Sequence, residues 1–199
     1  MTLVEVTPLA PEALPTAALR AHLRLGSGFA EDALQDDLLQ SFLRAALAAI
    51  EARISKALIA RDFELTLSQW QHPAGQPFPL APVSAVTSVT VIDDTGTAVL
   101  DPSRYHLSID PQRPVLRPTG TSLPVIPKGG RAEIHFTAGF GAWEALPADL
   151  AQAVLMLAAH FYEYRHDTAL SAGCMPFGVA ALLERYRPLR LGTPAGAAQ

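Results

Sequence analysis

Between Glu31 and Ala60 apolar residues return every three or four positions: Leu34, Leu38, Phe42, Leu43, Leu47, Ile50, Ile54 and Leu58. That spacing places them on one face of a long amphipathic helix. Glu31, Asp32, Asp36 and Asp37 crowd its start, while Arg53, Lys56 and Arg61 sit at its end. This charge order complements the helix dipole. Burying side chains of this size contributes on the order of 10–20 kcal/mol before conformational entropy, which assigns the helix to the core.

Past residue 60 the period shortens to two. In "DFELTLSQW" (62–70) Phe63, Leu65 and Leu67 face one way and Glu64, Thr66 and Ser68 the other, a strand with one wet face. A proline-rich loop, "QHPAGQPFPLAP", leads to a second strand, "VSAVTSVTVID", closed by the turn Asp93-Asp94-Thr95-Gly96. "TAVL", "RYHLSI" and "PVLRP" read as short strands, and "RAEIHFTA" as another, entered through Lys128-Gly129-Gly130. Residues 62–138 thus form a small antiparallel sheet inserted between helices.

The sheet hands over at "HFTAGFGAWEALP" (135–147) to a second helix, Pro147–Arg165. Pro147 suits the first helical position, where its missing N–H is no loss. Asp149, Gln152, His160 and Glu163 make only a narrow polar stripe on this helix. Leu150, Val154, Leu155, Leu157, Phe161, Tyr162 and Tyr164 cover the rest, so the helix needs burial on two sides. One side is its own core, and the other fits a neighbouring subunit. A Gly/Pro-containing loop (166–178) precedes a last short helix, "VAALLERYR", and the flexible tail "PLRLGTPAGAAQ". Ahead of all this, residues 1–30 read as an arm. It carries a short helix over Thr16–Leu25, capped by Thr16 and closed by "GSG" at 26–28.

The expected fold is therefore α+β. A bundle of three to four helices (31–60 and 147–187) carries an inserted β region (62–138), flanked by an N-terminal arm (1–30) and a tail (192–199). With 49% apolar and 17% charged residues in 199, disorder is excluded as the general state. The longest apolar runs are too short to span a bilayer. The N-terminus has neither the basic start nor the apolar core of a signal peptide, which makes the cytoplasm the expected place of synthesis. A single cysteine, Cys174, excludes an internal disulfide framework and a Cys-rich zinc site. A net charge of −4 with no basic stripe argues against a protein that grips nucleic acid by its phosphates.

Chemistry is sought in vain along the chain. Gly139-Phe140-Gly141 lacks the third glycine of a dinucleotide loop and the Gly-Lys-Ser/Thr of a phosphate loop. It reads as a structural joint with Trp143 and Pro147, its glycines permitting a sharp exit from a strand. Glu163-x-x-His166 has a di-iron spacing, but such sites need two of these motifs and two more carboxylates. No serine lies in a GxSxG elbow, and His22, His72, His106 and His135 are scattered over separate elements. Neither a catalytic residue, nor a metal site, nor a cofactor is expected. A small soluble α+β enzyme or ligand-binding protein is the competing reading.

The order of parts carries more. "RAEIHFTAGFG" is followed by "LPADLAQAVLMLAAHFYEYR" and then "MPFGVAALLERYRPLRL". Through Thr137, Ala138, Gly139, Phe140, Gly141, Pro147, Leu150, Ala153, Tyr162, Arg165, Leu182, Leu183, Tyr186 and Arg187 the chain resembles the head–tail connector (adaptor) proteins of long-tailed bacteriophages. The resemblance covers residues 31–191. The Ala/Pro/Arg-rich composition looks most like the adaptors of gene transfer agents of alphaproteobacteria, phage-derived particles that package host DNA.

That resemblance implies a structural protein assembled in the bacterial cytoplasm into the head–tail junction of a particle. The implied form is a dodecameric ring beneath the portal, followed by a stopper or next tail component, with a channel through which DNA passes unbound. The expected portal-docking residues are Leu182, Leu183, Tyr186, Arg187, Leu189, Arg190 and Leu191. Leu155, Phe161, Tyr162 and Arg165 are the expected subunit interface. Mild acidity suits a conduit that repels DNA, and head-to-tail ring contacts require two different adhesive surfaces on each subunit.

Overall fold

A computed structural model of the protein describes residues 1–25, 32–94, 96–165 and 175–187. Its first element is a strand. β1 (Thr2–Glu5) pairs antiparallel along β2 (Arg61–Leu67), so the supposed arm supplies an edge of the main sheet. α1 (Thr16–His22) follows, with Pro15 in the capping position and Thr16 already inside the helix, where it makes no side-chain cap.

α2 (Asp32–Ile54) is the long helix, six residues shorter at its end than the apolar pattern implied. Ser55 turns into the left-handed region (φ 54°), and the chain leaves the helix there, with Lys56 bridged to Ala81 and a bend at Leu58–Ile59. The buried stripe keeps Leu43, Leu47, Ile50 and Ile54 of the expected set and differs at its start, where Leu39 replaces Leu38. Leu39, Leu43, Ala46, Leu47, Ile50 and Ile54 lie in the core, Phe42 is half-buried and Leu38 is 41% exposed. Alanine occupies part of the seam, so a count of large apolar residues alone misplaces it. Glu31, the 26–28 glycine turn and the side chain of Leu34 fall outside the described residues.

The inserted region forms two sheets rather than one. Five antiparallel strands run in the order β1-β2-β8-β4-β5, with β4 Val83–Asp93, β5 Gly96–Val99 and β8 Arg131–Ala138. A second sheet of three joins β3 (Gln76–Pro77), β7 (Val115–Pro118) and β6 (Tyr105–Ser108). Phe63, Leu65 and Leu67 point inward as their alternation requires, opposite Ile134 and Phe136 of β8. Phe136 stacks on Phe63 at 5.7 Å and packs against Phe78 at 4.8 Å. Two register shifts in β4, between Val83 and Ala85 and between Val86 and Ser88, reset which of its residues face the core.

α3 (Ala148–Glu163) begins one position after Pro147, which caps it in an extended conformation. Its buried residues Leu150, Ala153, Val154, Leu157, Ala158 and Ala159 pack chiefly on α2 and on α4 (Phe177–Leu183), which a 3-10 turn, Glu184–Tyr186, extends. The result is a helical core and a separate sheet core. Ala57 belongs to the sheet core and Leu58 and Ile59 to the helical one, so this short irregular segment joins the two.

Candidate functional site at the helix–sheet junction

The chain passes between sheet and helices at three places: after β1, after α2 and after β8. All three lie side by side. Val6 N donates to Asp62 O at 2.9 Å, and Thr137 Oγ1 donates to Asp62 Oδ1 at 2.7 Å. Phe140 N donates to Leu58 O (3.1 Å), Ala60 N to Gly141 O (2.8 Å), Gly139 N to Pro82 O (3.0 Å) and Ala57 N to Ala81 O (3.0 Å). The backbone leaving β8 is thereby stitched to the backbone leaving α2.

Close approach explains the glycines. Gly139 adopts φ +132°, and a Cβ there would lie 2.5 Å from the Ala60 backbone. Gly141 adopts φ +128° and faces the Ala145 methyl. Only glycine meets both demands at position 139. Phe140 and Trp143 pack half-buried against the helical core.

Beneath the joint sits an ion-pair network. Arg61 grips Glu51 with both ends of its guanidinium, Nη2 to Oε2 at 2.7 Å and Nη1 to Oε1 at 3.0 Å. Glu51 Oε1 also accepts from Leu58 N at 2.7 Å, and Arg61 Nη1 donates to Ile59 O at 3.1 Å. Arg61 Nε lies 3.0 Å from Glu5 Oε2 as an ion pair. The guanidinium also stands 5.0 Å over the Phe63 ring. Burial by itself lowers the affinity of Arg61 for its proton. The hydrogen bond and charge of Glu51, followed by Glu5, more than reverse this and raise it. Three segments distant in sequence are thus clamped by one cation.

Sequence reasoning located the glycines of this joint and missed the clamp. Its one visible signal was an acid, Glu51, set beside the apolar stripe of α2 next to Ile50 and Ile54.

The expected docking residues divide. Leu183 and Tyr186 are buried in the chain's own helical core. Tyr186 Oη donates to Asp149 Oδ1 at 2.7 Å and accepts from Arg185 Nη2. Burial, followed by the Asp149 hydrogen bond, pushes the Tyr186 hydroxyl above the usual tyrosine range. Leu182 is half-buried and Arg187 exposed, while Leu189, Arg190 and Leu191 lie outside the described residues.

Of the expected interface set, Leu155, Phe161 and Tyr162 are half-buried against the helical core. Tyr162 meets Phe42 edge-on at 6.1 Å, and exposed Arg165 lies 4.6 Å over the Tyr162 ring. His166, the loop residues 166–174 and Cys174 lie outside the described residues. Among the described residues no three potential metal ligands cluster, and no helix is long and apolar enough to cross a membrane.

This architecture has counterparts among solved structures. One is a chain in the neck of an empty GTA (gene transfer agent) particle computed with C6 symmetry: TM-score 0.88 and 51% identity, covering 97% of this chain and 98% of that one. The chain belongs to the neck proteins of gene transfer agent particles. A second counterpart lies in the virion of a native gene transfer agent particle (TM-score 0.85, 50% identity, 97% and 98% covered). A third lies in the neck of a native GTA particle computed with C12 symmetry (TM-score 0.83, 47% identity, 97% and 98% covered). No family model and no curated protein matches the sequence. As a neck protein it is a structural component of a virion.

Proposed function

We propose that this neck protein is the head–tail adaptor of its particle. Twelve copies form a ring between the portal and the stopper and leave a channel through which DNA passes without specific binding. The observation that supports this most is the near full-length similarity to a chain of a neck computed with C12 symmetry. The adaptor-like order of strand, Gly-aromatic-Gly and proline-started helix agrees with it, as does the net charge of −4. Assembly takes place in the bacterial cytoplasm.

Within the ring, Leu155, Phe161, Tyr162 and Arg165 lie toward the neighbouring subunit. Leu182, Arg187 and the residues through Leu191 meet the portal, on a base that buried Leu183 and Tyr186 hold in place. Truncation after Tyr186 tests the docking. Particles carrying the shortened chain are expected to accumulate filled heads without tails, counted by electron microscopy. A normal yield of tailed, filled particles would sink the assignment. Twelvefold rings of the purified protein on portal, seen by negative stain, test the stoichiometry.

A further inference from the structure

An open cleft of about 820 Å³ lies where the end of α2, the segment after β3 and the turn after α4 converge. Its apolar wall is Pro77, Phe78 and Pro79, and its rim carries Arg113, Arg185 and Arg187 against a single acid, Glu184. This is a concentration of positive charge on a chain of net charge −4.

Lys56 also lines the cleft and is only 2% exposed. Its Nζ donates to Pro111 O at 2.6 Å, and among the described residues no carboxylate pairs with it. Asp110 acts on Lys56 and Arg113 through its charge without forming an ion pair with either. Its Oδ1 accepts from Gln112 N and Arg113 N, each at 2.7 Å. Burial pushes the Lys56 ammonium down, and the charge of Asp110 only partly opposes this. A buried cation whose counter-charge is not in direct contact remains costly, and an arriving carboxylate offsets part of that cost. Arg185 and Arg187 are held by Asp149 and Glu184, whereas the Arg113 guanidinium has no ion pair among the described residues.

We infer that this cleft receives an extended acidic segment of the portal protein, whose carboxylates meet exposed Arg113 and add their charge near buried Lys56 while its backbone lies along the proline wall. The inference rests on the portal-docking reading, because the cleft opens at Arg187, where the proposed docking segment departs. A concave site with an apolar wall and a buried lysine behind it suits the carboxylates of an extended chain.

The test uses the full chain in calorimetric titrations at low salt, with purified portal and with hexaglutamate peptide as probes. Both are expected to bind, hexaglutamate to displace portal, and Arg113→Glu and Lys56→Met each to weaken both at least fivefold. Melting temperatures confirm folding, and Arg113→Glu, a change at the cleft rim, keeps the test decisive should Lys56→Met disturb the core. Portal binding unaffected by either variant would overturn the cleft while leaving the docking reading intact. Hexaglutamate binding without any portal binding would overturn the docking reading and, with it, the assigned occupant. Displacement of hexaglutamate by a 20-base-pair DNA duplex would make the cleft a nucleic-acid surface. Several-fold tighter hexaglutamate binding after removal of residues 188–199 would make the chain's own tail the occupant. Either result also overturns the proposal.

Discussion

Gly139 passes Ala60 so closely that a methyl group on it would lie 2.5 Å from the Ala60 Cα. No side chain separates the exit of β8 from the exit of α2, and the hydrogen bonds between Leu58–Ala60 and Phe140–Gly141 depend on that approach.

Gly139→Ala combines a strained positive φ with overlap against backbone that cannot move aside, and is expected to cost about 3 kcal/mol or more. Gly141→Ala, which meets only the Ala145 methyl at 3.0 Å, is expected to cost about 1–2 kcal/mol. Urea midpoints of the two variants check the order, and equal midpoints would contradict the close-approach account.

Glu51→Ala leaves the Leu58 N–H without its acceptor and the Arg61 guanidinium with only Glu5 and the Ile59 carbonyl, and is expected to cost about 2–4 kcal/mol. Arg61→Lys is not conservative here, because an ammonium cannot span both carboxylate oxygens. In a double-mutant cycle, Glu51→Leu with Arg61→Met is expected to cost less than the sum of the two single changes, with a coupling above about 1 kcal/mol. Additive losses would mean that the clamp contributes packing alone.

Lys56 is held below its ordinary value of about 10.5 by burial. Between the lowered value and the ordinary one the unfolded chain binds the proton more tightly, so this group's contribution to stability rises with pH. It is complete above the ordinary value and is lost as pH falls through the lowered one. Tyr105, raised by burial and then by Asp101, works oppositely, its contribution lost as pH climbs past the usual tyrosine range. The difference between wild type and Lys56→Met isolates the lysine. Wild type is expected to gain on the variant as pH rises toward 10.5, followed by thermal melts. A pH-independent difference would contradict this.

Tyr186→Phe removes the 2.7 Å hydrogen bond to Asp149 and is expected to cost about 1 kcal/mol of stability. Arg187→Glu, on an exposed side chain, is expected to leave the melting temperature unchanged and to weaken portal docking. Calorimetry and a portal pull-down separate the two effects. A destabilised Arg187→Glu would place that residue with the anchors instead.

Strand limits were legible where turn formers flank them. "VSAVTSVTVID" and "RAEIHFTA" coincide with β4 and β8 because Pro82 and Gly130 stop what precedes each. The end of α2 was not legible. Leu58 continues the helical spacing, yet its burial comes from the irregular segment after Ser55, a tertiary arrangement that local pattern cannot carry. Nor was β1, whose reason to be a strand is β2, some 60 residues away. Leu183 and Tyr186 looked like surface residues of a terminal helix, whereas Asp149, 37 residues before Tyr186, draws that helix into the core. The Gly-aromatic-Gly joint announced itself because its backbone demands glycine. The Glu51–Arg61 clamp did not, since a carboxylate on a helix ordinarily signals solvent.

The sheets inserted between α2 and α3 also set an order in time. α2 emerges from the ribosome with a stripe of Leu39, Leu43, Leu47 and Ile50 whose main cover, α3, is made about a hundred residues later. At ribosomal speeds of about 5–20 residues per second, that face waits at least about five seconds for its partner. The helical half of the molecule can therefore close only after the whole β region has been synthesised.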